Sequence, residues 1–165
     1  MALREQTRQS LISRLGEACA LTRMLWTQDL TTYDGRYYQL QEARLNPKPI
    51  QTPHPPIVIG GSGEQLTLRV VAEHADIWNF TSTDVEMFRH KQAVLRGHCD
   101  AVGRNPDEIE HSVQVRVDYD DLPASAATLQ PLVNAGATHI ILGLTYPYPE
   151  GIVARLAEEV VERVG

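Results

Sequence analysis

Only two lysines, Lys48 and Lys91, occur in 165 residues, and the arginines are dispersed, so the basic clusters from which nucleic-acid surfaces are built are missing. Acidic residues outnumber Lys and Arg by 21 to 15, for a net charge of −6, and nucleic acid is therefore not an expected partner. Cysteine is equally scarce. Cys19 and Cys99 lie in segments far apart and make no disulfide framework, so both are expected to be reduced. No apolar run approaches the roughly 20 residues of a membrane span. The start from Met1 to Ser10 is polar, without the apolar core of a secretory signal, and a cytoplasmic protein with no membrane contact is expected. Metal-ligand spacing is absent, so no metal is implied. Two familiar phosphate signatures are absent as well. Gly61-Ser62-Gly63 is followed by Leu66 where a dinucleotide fingerprint needs glycine, and no Gly-Lys-Ser/Thr follows.

What is present centres on residues 55–65. Pro55 and Pro56 favour extended backbone, and Ile57-Val58-Ile59 is β-branched throughout and too short for a helix, so a buried strand is expected there. It runs into Gly60, Gly61, Ser62 and Gly63, a turn whose glycines allow a sharp bend and close approach by a ligand. Ser62 with Gln65 has capping-box spacing, which predicts a helix from Glu64 to His74 with its first N–H groups beside the glycines. Orphan N–H donors and a helix dipole together attract phosphate. The turn can equally be plain strand-to-helix architecture, and spacing does not decide between the two.

The rest of the chain is read around that stretch. Leu11, Leu15, Ala18, Thr22 and Leu25 mark one face of an amphipathic helix from about Thr7 to Trp26, with Trp26 expected in the core. Asp34-Gly35 between Thr31–Tyr33 and Arg36–Tyr38 predicts a hairpin with a two-residue type I′ turn. The prolines from Pro47 to Pro56 predict an extended connection. Ala75 to Phe80 reads as a strand, and Thr83 with Glu86 as a second capping box opening a helix that stops at Gly103. Glu110 to Tyr119 alternates, with Val113, Val115 and Val117 on one side and Gln114, Arg116 and Asp118 on the other. A helix from about Pro123 to Gly136, a strand from Thr138 to Leu144 and a last helix carrying Ile152 to Val164 complete the order. Strict strand–helix alternation builds a parallel sheet, and with 42% hydrophobic residues one domain over 1–165 is expected.

Four blocks in this order resemble the luciferase-like flavin oxidoreductase superfamily, especially its coenzyme F420-dependent branch. They are Leu25-Trp26-Thr27, Tyr33-Asp34-Gly35-Arg36-Tyr37-Tyr38, the run from Asn46-Pro47-Lys48-Pro49 through Pro53 to Gly63, and Ala75-Asp76-Ile77-Trp78-Asn79. The resemblance covers essentially the whole chain. It implies the C-terminal half of a (β/α)8 TIM barrel: about four parallel strands with helices, plus a small hairpin insertion at the barrel mouth. It further implies that Gly60, Gly61, Ser62 and Gly63 help to hold a coenzyme phosphate. Asn79, at the end of its strand, would lie on the same face or serve as a turn residue. The coenzyme implied is F420, with FMN as the alternative.

The first half of the family barrel has no counterpart here, so catalytic residues are unassigned. His74, His90, His98, His111 and His139 are scattered, and His54 is only a little better placed. Four strands cut from a closed barrel would expose two edges and an apolar face. A homodimer or a complementary N-terminal half is therefore expected to cover them. Three readings follow: half of an F420-dependent hydride-transferring oxidoreductase, half of an FMN-dependent monooxygenase, or a non-catalytic dimeric remnant. The substrate is not readable from the sequence.

Overall fold

Short β-branched and aromatic runs, each followed by a helix, assemble into one parallel sheet. A computed structural model describes residues 2–164, with side chains from Thr7 onward. Its elements in chain order are α1 (Ala2–Thr27), β1 (Thr31–Asp34), β2 (Gln39–Ala43), β3 (Val58–Gly60), α2 (Thr67–His74), β4 (Ile77–Phe80), α3 (Val85–Val102), β5 (Glu110–Arg116), α4 (Leu122–Asn134), β6 (His139–Gly143) and α5 (Ile152–Glu159), with 3-10 turns at Pro106–Glu108 and Val161–Arg163. The four strands β3-β4-β5-β6 pair in sequence order and in parallel, while β1 and β2 form a separate antiparallel pair. Mixed α/β architecture with a four-stranded parallel sheet is thus observed.

Among the described residues, helices cover one face of the sheet. Ile59, Trp78, Phe80, Val113 and Val115 point into that core, with Phe88 and Leu95 of α3 and Leu129 and Leu132 of α4. Trp78, Phe80 and Phe88 lie within 5.7 Å of one another centroid to centroid, and such pairs add about 0.5–1.5 kcal/mol each beyond the area they bury. The opposite face carries Val58, Gly60, Ile77, Asn79, Ser112, Gln114, Arg116, His139 and Ile141, and Val58 is 51% exposed. The strands are also staggered. Gly60 at the end of β3 is level with Asn79, Ser112 and, at the very start of β6, His139, a progressive shear of the kind that closed barrels require.

Several local expectations are corrected. The hairpin has no two-residue turn: Asp34 pairs with Gln39, and Gly35 N–H donates to the Tyr38 carbonyl across a four-residue loop. The cause is Glu17 on α1, whose carboxylate accepts from the N–H groups of Arg36, Tyr37 and Tyr38. A Cβ on Gly35 would lie 2.5 Å from that carboxylate. Among the described residues of α1 the buried position is Cys19, with Ile12 and Leu15 beside the core, whereas Leu11 is 60% exposed. Gly16 allows the close approach to α2, meeting Val70 and His74. Trp26 is half-buried and stacks on His54 with centroids 6.0 Å apart.

Neither capping box forms. Helix α2 begins at Thr67 with no side-chain cap, and the Gly63 carbonyl instead accepts from Leu68 N–H. Helix α3 is capped by Asp84, whose carboxylate accepts from Met87 N–H, because aspartate one residue on supplies the better acceptor. The stop at Gly103 is as expected, with φ 71°. Carbonyls at the C-terminal ends of helices take cations: Lys48 Nζ donates to Leu25 and Gln28, and Arg23 donates to His74.

Candidate functional site

Strand β3 ends in the glycine turn because its last residue, Gly60, pairs with Asn79 and the chain then leaves the sheet edge. Gly61 has φ +122°, a conformation that side chains disfavour, and its N–H still donates to the Asn79 carbonyl at 3.1 Å. Its carbonyl accepts from the Trp78 indole at 2.8 Å, so the aromatic core fixes the turn directly. From Ser62 to Gln65 the backbone N–H groups make no hydrogen bond to any other described group. Thr67 opens α2 on the inside of the bend, and a Cβ on Gly63 would come within 2.9 Å of its hydroxyl. The turn is therefore tight, glycine-dependent at Gly61, and lined by unspent donors.

A cleft of about 730 Å³ lies over this turn, bounded by Ser62, Gly63, Gln65 and Thr67 with Arg8 of α1 and Lys91 of α3. Charge here is partly spent. Lys91 and His90 both contact Glu64 Oε1, holding the Glu64 carboxyl below its ordinary range through the Lys91 hydrogen bond first and then that of His90. His98 Nε2 lies 2.7 Å from the Glu64 carbonyl, so three residues of α3 brace the position after Gly63.

Asn79 adjoins the turn and belongs to a polar row across the open face. Its Nδ2 donates to Ser112 Oγ at 3.0 Å, and Ser112 Oγ is 3.0 Å from His139 Nδ1. Ser112 is fully buried and Asn79 is 8% exposed. Gly60, Gly61, Ser62, Gly63 and Asn79 are the residues that the sequence marks, and the structure brings Asn79 against Gly60 and Gly61. It also adds Ser112, His139, Glu64 and Lys91, which no local motif marks. The row depends on strand register, set by residues about 30 positions apart, and the one available signal was the parity of Ser112 in an alternating strand.

His111 and His54 are held in structural positions. His111 packs edge-on against Trp78 and Phe88 and meets Gln92, and its pKa is lowered by burial first and then by Arg96. His54 stacks on Trp26 and lies 3.9 Å from Asp76, whose other role is to accept from Ile57 N–H at the entrance to β3. Among the described residues no group of three or more His, Cys, Asp or Glu could hold a metal ion, and no helix is long and apolar enough to cross a membrane.

Comparison with known proteins gives a consistent picture. The sequence model of the family described as luciferase-like monooxygenase matches residues 7–160. An F420-dependent glucose-6-phosphate dehydrogenase of Kineococcus radiotolerans is 28% identical over 116 residues, 69% of this chain and 34% of the relative. An FMNH(2)-dependent dimethylsulfone monooxygenase of Pseudomonas putida is 35% identical over 89 residues, 49% of this chain and 24% of the relative. This chain spans about a quarter to a third of the length of these relatives. Among solved structures, the coenzyme F420-dependent tetrahydromethanopterin reductase of Methanopyrus kandleri superposes with TM-score 0.76 over 93% of this chain and 64% of its own, at 13% identity, a likeness of fold.

Proposed function

The chain belongs to the luciferase-like monooxygenase family, and from that premise we propose that it is the C-terminal, phosphate-holding half of a coenzyme F420-dependent oxidoreductase. The observation that carries this reading is the run of unspent N–H donors from Ser62 to Gln65 beside the positive-φ Gly61, at the mouth of the cleft reached by Arg8 and Lys91. A phosphate monoanion or dianion offers several acceptor oxygens to such donors, and the N-terminus of α2 adds its positive end. No Cβ intrudes at Gly60, Gly61 or Gly63, so a phosphate can approach the backbone itself. In this reading Gly60, Gly61, Ser62 and Gly63 hold the phosphate and Asn79 contacts the adjoining part of the coenzyme. When bound, the deazaflavin coenzyme supplies the hydride chemistry, and the residues of this chain bind and orient it.

The family relative that uses FMNH(2) supports a second reading, an FMN-dependent monooxygenase. Both coenzymes carry a phosphate, so the turn suits either. The uncovered sheet face, the unpaired edges of β3 and β6 and the barrel-like stagger favour association, either with a second copy or with a complementary N-terminal half that completes the barrel.

Fluorescence titration of the chain with F420 and, in parallel, FMN tests the proposal. Saturable binding at micromolar concentration, abolished by Gly61→Asp, is the expected result, and tighter binding of F420 than of FMN selects the leading reading. Binding of neither coenzyme would leave a non-catalytic remnant as the better description.

A further inference from the structure

We propose that Ser112 and His139 are positioning residues that hold the side-chain carbonyl of Asn79 open beside the glycine turn, where it accepts a hydrogen bond from a hydroxyl of the phosphorylated ligand. The inference rests on the phosphate reading above and adds to it the chemistry next to the phosphate. Asn79, Ser112 and His139 are register partners on β4, β5 and β6, so their side chains stand side by side on the open face. Ser112 is fully buried, and its hydroxyl has one proton to give. The Asn79 amide NH₂ donates to Ser112 Oγ at 3.0 Å. The hydroxyl proton is then left for His139 Nδ1, also at 3.0 Å, because accepting from both neighbours would strand it without an acceptor.

The consequence falls on the other end of the amide. With Nδ2 committed to Ser112, Oδ1 faces Gly60, where a Cβ would stand 3.8 Å away, and among the described residues it has no donor. Gly60 is the fourth member of the same row and has no side chain to cover that oxygen. A carbonyl oxygen repels phosphate and attracts a donor. The site therefore suits a phosphate ester whose carbon chain carries a hydroxyl close to the ester, and disfavours the same ester without one.

The test uses glycerol 3-phosphate and propyl phosphate as probes in NMR titrations of the chain. The unmodified protein should bind glycerol 3-phosphate about fivefold more tightly, the worth of one net hydrogen bond. Ser112→Ala and His139→Leu should erase that preference while leaving propyl phosphate affinity unchanged. His139→Asn, whose amide oxygen replaces Nδ1 as acceptor, should keep it. Because the ratio of two ligands is read within each folded variant, a general loss of stability does not mimic the effect. The imidazole ¹⁵N shifts of unmodified His139 should also report the Nε2–H tautomer in the neutral ring. Equal affinity for the two esters, or an Nδ1–H tautomer, would overturn this inference while leaving the phosphate reading intact. Binding of neither ester would overturn the phosphate reading and this inference together.

Discussion

Gly61→Ala and Gly63→Ala look alike in sequence but should differ sharply in cost. At Gly61 the penalty has two parts. The φ of +122° is disfavoured for any L side chain, which costs about 1–3 kcal/mol, and the new methyl group would stand 3.1 Å from Thr67 Cγ2, a mild overlap. Gly63 has no positive φ, and its penalty comes from one contact, 2.9 Å to Thr67 Oγ1. Removing the Thr67 side chain separates the two parts. In a Thr67→Ala background, Gly63→Ala should fall within about 0.5 kcal/mol of its parent, in the range of an unremarkable surface change. Gly61→Ala should still cost about 2 kcal/mol. With a urea slope of about 2 kcal/mol per molar, that is a midpoint shift of roughly 1 M. Tryptophan fluorescence is a suitable probe, since the Trp78 indole donates to the Gly61 carbonyl. Equal midpoint shifts for both variants in the Thr67→Ala background would refute the argument that backbone conformation, rather than crowding, fixes glycine at Gly61.

Glu17→Ala should loosen the hairpin loop, because three backbone N–H groups lose one shared acceptor; faster amide exchange at Arg36, Tyr37 and Tyr38 is expected, and unchanged exchange would show that the carboxylate is dispensable. Acid should destabilise the fold through His111 and His74. Burial is the main cause lowering both pKa values, with Arg96 adding at His111 and Asp107 opposing, and with Glu73 opposing and Arg23 and Arg104 adding at His74. The folded state thus binds fewer protons than the unfolded chain, so the contribution is complete above the ordinary histidine pKa of about 6.5 and is lost as the pH falls below it through the folded values. His111→Gln should flatten the decline in urea midpoint between about pH 7.5 and 5.5, and a slope identical to that of the unmodified chain would contradict it.

Fold class was legible because it rests on periodicity: β-branched triplets, alternating valines on β5 and glycine stops are local signals, and they placed the four strands and their helices. Helix starts were less legible. Ser62 and Gln65 have the right spacing for a cap, but Gly61 and Gly63 redirect the backbone so that the helix opens three residues later than expected, at Thr67 rather than Glu64. Asp84 displaced Thr83 as a cap by simple proximity of a stronger acceptor. The Asp34-Gly35 turn failed for a non-local reason, since Glu17 lies about 20 residues upstream and draws three N–H groups onto one carboxylate. The same limit applies to the site. The glycine turn announces itself in four consecutive residues, whereas Ser112 and His139 become neighbours of Asn79 only after three strands have taken their register. Lys91 was conspicuous as one of two lysines, yet nothing local tied it to Glu64.

If the backbone from Ser62 to Gln65 binds the phosphate of a flavin-type coenzyme, an NMR titration of the ¹⁵N-labelled chain with FMN, riboflavin and inorganic phosphate will show it. Saturable shifts of the Ser62, Gly63, Glu64 and Gln65 amides are expected with FMN and, more weakly, with inorganic phosphate, and little change there with riboflavin, which lacks the phosphate. Equal shifts with FMN and riboflavin, or FMN-induced shifts that leave these four amides untouched, would contradict it.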